Sequence, residues 1–77
     1  MTTKQLNKPT LGGRIKIARQ LADMNQDDLA KILKITNQQI SSYETGKSIP
    51  PADKVLTIAD TCKVDPGWLL SGRGNPF

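Results

Sequence analysis

Seventy-seven residues with 36% hydrophobic content can close one small core and leave no room for a second domain. Eleven Lys and Arg against seven Asp and Glu give a formal charge of +4, which suits a polyanionic partner without naming one, because a solvated basic surface gives the same sum. One cysteine and no histidine exclude a Cys-His cluster and a His-based general base, and Gly12-Gly13 lacks the rest of a phosphate-loop pattern, so no enzyme, cofactor or metal site is expected.

In chain order, residues 1–9 form a polar tail with Lys4 and Lys8, expected to lack fixed structure. A first helix is predicted over about residues 11–23, with Leu11, Ile15, Ala18 and Ala22 on its core face and Arg19 beside it. Ile17 and Leu21 make a second apolar strip that this core does not need. Three uses stand open for it: covering the core's edge, holding the tail, or meeting a partner.

Asn25 can cap a second helix, where Asp27 and Asp28 suit the positive end of the helix dipole. Gln26, Leu29, Ala30 and Leu33 follow at i, i+3, i+4 and i+7, an apolar stripe headed by a polar residue. After a short turn, Thr36 and Gln39 have the spacing of a capping box, and the third helix runs to about Thr45, where Gly46 stops it. On this helix Asn37, Gln38, Ser41, Ser42 and Thr45 share one arc, and Ile40, Tyr43 and Glu44 occupy the other. One side docks, and the other carries only small, uncharged hydrogen-bonding groups.

The loop 47–51 is stiffened by two prolines, and Pro51 is placed to start a fourth helix over about residues 51–62. Its core face is Val55, Ile58, Ala59 and Cys62, which makes Cys62 a small buried residue rather than a nucleophile or ligand. Asp65 caps a fifth helix whose first residue is Pro66, and Trp68 and Leu69 close the core. The irregular end, 72–77, reads equally as a terminus or as the start of a linker. The apolar runs are far too short for a signal peptide or a membrane span, which leads to the expectation of a cytoplasmic protein without a membrane partner.

A polar helix face taken alone is an ordinary solvated surface. Here it follows a short amphipathic helix and a tight turn, which is the helix-turn-helix geometry. Around that motif, residues 11–72 resemble the Cro/repressor-type (XRE-like) helix-turn-helix proteins of lambdoid phages and bacteria. The matching features, in order, are Arg19, the exit Glu44-Thr45-Gly46-Lys47, the run Val55, Ile58, Ala59, Cys62 and Val64, and the closing Trp68, Leu69, Leu70 and Gly72. Lys34 departs from the pattern, since the family often has glycine in this turn. A left-handed backbone costs lysine about 1 kcal/mol, so a differently shaped turn is expected.

The resemblance implies an all-α, five-helix, lambda-repressor-like domain over residues 10–72, with a tail at 1–9 and a tail or linker start at 73–77. It implies a sequence-specific, double-stranded DNA-binding transcriptional regulator, a repressor of phage or bacterial type, with the third helix in the major groove. Asn37 and Gln38 in the first turn are candidates for base contacts, because an amide pairs with adenine at two points, and Ser41 and Ser42 stand second. Asn25, Gln26, Thr36, Thr45 and Lys47 are assigned to phosphates by resemblance; for Asn25 and Thr36 plain helix capping serves as well. Arg19 and Glu44 are expected to form an ion pair between helices, as matching family members carry these residues, against the alternative of two separate surface charges. The resemblance also implies a homodimer on a near-palindromic operator, paired through Pro66, Gly67 and Leu70, with no small-molecule effector in view. The tail 1–9 could then serve as an arm on DNA. The same fold also carries antitoxins and restriction-modification controllers, and a protein-interaction module that has lost DNA binding is the alternative of another class.

Overall fold

Local capping sets where the helices begin. In a computed structural model that describes residues 10–77, five helices follow one another: α1 Leu11–Leu21, α2 Gln26–Leu33, α3 Asn37–Thr45, α4 Ala52–Cys62 and α5 Pro66–Ser71. The expected tail at 1–9 lies outside the described residues. Thr10 accepts from the Gly13 amide to start α1, Thr36 accepts from Gln39 to start α3, and Asp65 accepts from Trp68 to start α5. The full capping box belongs to α2, where the Asn25 side chain accepts from the Asp28 amide at 2.8 Å and the Asn25 amide donates to Asp28 Oδ2 at 3.0 Å. At α3 only the Thr36 half of the expected box forms. Pro51 is the N-cap of α4 rather than its first residue, since its ψ of 160° is extended.

The helix ends depart further from expectation. α1 stops at Leu21, two residues early, because the Asp23 and Met24 amides turn back to the Gln20 and Arg19 carbonyls and Asp23 takes a φ of 63°. Lys34 takes the left-handed conformation itself, with φ 61° and ψ 43°, so the turn keeps the shape a glycine would give it. The amides of Lys34 and Ile35 close on Lys31 and Ala30, and Ile35 packs against the core, which offsets the small cost to lysine.

The core is a single cluster drawn from every helix, with Ile15, Leu29, Ile40, Ile58 and Leu69 fully buried. Trp68 and Cys62 belong to it. Leu11 and Ala22 are only partly buried; the remaining contacts of α1 are made by residues that an apolar count passes over, Gly12, Arg14 and Arg19. Ile17 packs on the core's edge, while Leu21 is half exposed and lines an open groove with Met24, Ile32, Cys62 and Phe77. Arg14 is buried because its Nε donates to the Leu69 carbonyl at 2.8 Å and its Nη2 to Leu70 at 2.9 Å, tying α1 to the carboxyl end of α5. Residues 73–77 are irregular, and the Pro76 carbonyl accepts from the Asp65 amide at 2.6 Å.

Candidate nucleic-acid interface

Two opposite demands meet on α3. Its inner side must be held rigidly, and its outer side must stay uncommitted. Ile40 and Tyr43 sink into the core. Beside them Glu44 collects donors from the two preceding helices: Arg19 Nε at 2.7 Å on Oε2, with Arg19 Nη2 at 3.1 Å and Gln26 Nε2 at 3.0 Å on Oε1. Arg19 Nη1 also donates to the Met24 carbonyl at 2.9 Å, so one guanidinium braces α1, the α1–α2 turn and α3. The hydrogen bonds that Arg19 donates to Glu44 raise the guanidinium pKa above its ordinary value, outweighing the burial that would lower it. The pair is one fixed three-helix junction rather than two separate surface charges.

On the outer side, Thr36, Gln38, Gln39, Ser41, Ser42, Thr45 and Lys47 line a shallow polar groove. Gln38 and Lys47 are exposed, and Ser41 and Ser42 are half-buried. No hydrogen bond within the described residues engages the side chains of Gln38, Ser41, Ser42 or Lys47. Backbone bonds shape the exit: Gly46 takes a φ of 84°, and the Lys47 and Ser48 amides both donate to Ser42. Gln39 joins this groove although the sequence assigned it to capping, because the reciprocal half of the box does not form.

The other candidates are more committed. Asn37 is exposed, and its Nδ2 donates to Asp27 Oδ1 at 2.6 Å. Gln26 spends one N–H on Glu44. The Thr45 hydroxyl donates to the Ser41 carbonyl at 2.9 Å, and Asn25 and Thr36 serve as caps. Pro66, Gly67 and Leu70 are exposed on α5, with Pro66 at the edge of a groove lined by Leu56, Ala59 and Lys63. Cys62 is a free thiol that burial pushes upward from its ordinary pKa. Among the described residues no acidic, Cys or His cluster could hold a metal, and no helix is long and apolar enough to cross a membrane.

Comparison with known proteins gives the same motif. A family model described as helix-turn-helix matches residues 15–69. The HTH-type transcriptional regulator DicA of Escherichia coli is 35% identical over 72 residues, 94% of this chain and 51% of the relative. ImmR, an HTH-type transcriptional regulator of Bacillus subtilis, is 36% identical over 61 residues, 79% of this chain and 48% of the relative. The chain thus spans about half the length of these two curated relatives. Among solved structures, the P22 c2 repressor in complex with a synthetic operator aligns with a TM-score of 0.74 at 27% identity, covering 82% of this chain and 96% of that one. The DNA-binding domain of the same repressor in solution aligns at 0.76 and 26% identity, covering 84% and 86%.

Proposed function

The chain belongs to the helix-turn-helix family, and from that premise we propose that it is a sequence-specific, double-stranded DNA-binding transcriptional regulator, a repressor of phage or bacterial type. The observation that carries this reading is the groove on α3. Gln38, Ser41 and Ser42 stand unengaged on the outer arc of a helix whose inner arc is clamped by Arg19 and Glu44. Such a surface suits base edges in the major groove, where donors and acceptors differ for each pair, and rigid mounting keeps its register. Asn37 and Gln38 are the proposed primary readers, with Ser41 and Ser42 behind them. Asn25, Gln26, Thr36, Thr45 and Lys47 are proposed for phosphates, because the α2 and α3 amino termini offer N–H groups and the positive dipole end. Binding without catalysis, in the cytoplasm and without a small-molecule effector, completes the proposal.

Competition binding tests it. Gln38→Ala is expected to relax specificity at one or two base pairs per half-site, by about 1 to 3 kcal/mol. Lys47→Ala should weaken all sequences alike and reduce the salt slope by about one. An unchanged base preference in the Gln38 variant would remove the groove as the reading surface.

One recognition helix touches few base pairs, so we propose a homodimer on a near-palindromic operator, with half-sites about 34 Å apart, one helical turn. Pro66, Gly67 and Leu70 are the proposed contact, supported by the exposure of Leu70 at 54% on the helix that Arg14 fixes to α1. A patch this small associates weakly without DNA. Leu70→Asp is expected to abolish cooperative binding between half-sites; normal footprinting of the full operator by that variant would sink the arrangement.

A further inference from the structure

Asp27 and Asn37 stand ten positions apart, on the first turn of α2 and the first residue of α3, and a 2.6 Å hydrogen bond joins their side chains across the turn. Both are exposed, so the bond is not forced by burial. Neighbouring Asp28 is used differently, closing the capping box with Asn25. Asp27 has no such duty. Its carboxylate accepts a hydrogen bond from an amide proposed above to read a base.

We propose that Asp27 is a positioning residue that makes Asn37 select adenine and reject guanine, a claim that rests on the reading of α3 as the base-reading helix. An asparagine amide with both N–H groups available can donate to N7 and O6 of guanine. With one N–H and its carbonyl it instead matches N7 and N6 of adenine. Asp27 occupies one N–H, which removes the second proton that guanine requires. Turning the amide over would bring its carbonyl oxygen against the carboxylate, two acceptors with no proton between them, so that orientation is excluded as well. What remains is one N–H and Oδ1, the set that adenine complements. The same carboxylate repels phosphate, so selectivity at this base pair comes with reduced affinity for DNA of any sequence.

The test uses the whole chain and three variants. Asn37→Ala first identifies the base pair that Asn37 reads, as the one whose preference it flattens in competition binding. At that pair Asp27→Ala is expected to lower adenine-over-guanine discrimination about tenfold while binding unrelated DNA at least as tightly as the parent. Asp27→Asn, whose amide donates as well as accepts, admits both orientations of Asn37 and should lower the adenine preference, though less than alanine does. Without DNA, the two Asn37 side-chain amide protons should have widely separated NMR shifts that converge in Asp27→Ala. This readout also applies should the alanine variant bind DNA poorly. A parental adenine-to-guanine ratio in Asp27→Ala, or amide shifts unmoved by that change, overturns the role of Asp27 and leaves Asn37 a reader. If Asn37→Ala flattens no base pair, Asn37 does not read DNA, and both the assignment of Asn37 and this proposal fail together.

Discussion

Arg19→Ala or Glu44→Ala alone is expected to cost about 3 to 5 kcal/mol of folding free energy, read from urea melts. The two side chains keep 10% and 4% of their exposure, so each charge depends on the other for its solvation. Without Arg19, Glu44 is left with the Gln26 amide as its remaining donor; without Glu44, Arg19 keeps the Met24 carbonyl. An uncompensated buried charge is what makes such losses large, whereas an exposed pair is worth at most about 1 kcal/mol. A small domain has on the order of 5 kcal/mol in total, so either single variant should be substantially unfolded at ambient temperature. The double variant removes both charges and is expected to lose less than the sum of the singles. Because Glu44 raises the Arg19 pKa, the pair's contribution is complete below the ordinary arginine value and is lost only as pH climbs past a still higher one. The Arg19 side of the pair therefore adds no pH dependence near neutrality. Single losses under 1 kcal/mol would mean that water solvates the junction.

Gly12→Ala is expected to destabilise by about 2 to 3 kcal/mol, against the usual gain from alanine in a helix. A Cβ at position 12 would stand 2.6 Å from the Glu44 carbonyl oxygen and closer still to that of Tyr43. Both are backbone atoms of α3, so no side-chain rotation relieves the contact and α1 must move away from α3. Helix propensity returns about 1 kcal/mol, too little to compensate. The displacement loosens the mounting of the proposed reading groove, so affinity for a specific site should fall further than affinity for unrelated DNA. A Gly12→Ala protein as stable as its parent, by urea melts, would show that the two helices are less closely apposed.

How much of this was legible in the sequence depends on the range of each interaction. The starts of α2, α3 and α5 could be read because Asn25, Thr36 and Asp65 act on amides three residues ahead. The ends were harder. Asp23, Lys34 and Lys63 all take positive φ without being glycine, so the turns after α1, α2 and α4 carry no glycine signal. Polar residues inside the fold were harder again. Arg14 looks like a surface charge until α5 brings its carboxyl end alongside, and Gly12 looks incidental until α3 crosses it. The expectation of an Arg19–Glu44 pair came from the family resemblance, since 25 positions of separation carry no periodic signal. Asp27 read as a dipole charge because its contact with Asn37 exists only once the Lys34 turn sets α2 against α3.

The most direct test of the account is selection of bound sequences from a random double-stranded DNA pool by the wild-type chain. The account predicts enrichment of one near-palindromic sequence, with two inverted half-sites about 34 Å apart and adenine at the positions faced by Asn37 and Gln38. A pool that binds through charge alone, losing affinity with salt and enriching no sequence after repeated rounds, would contradict it.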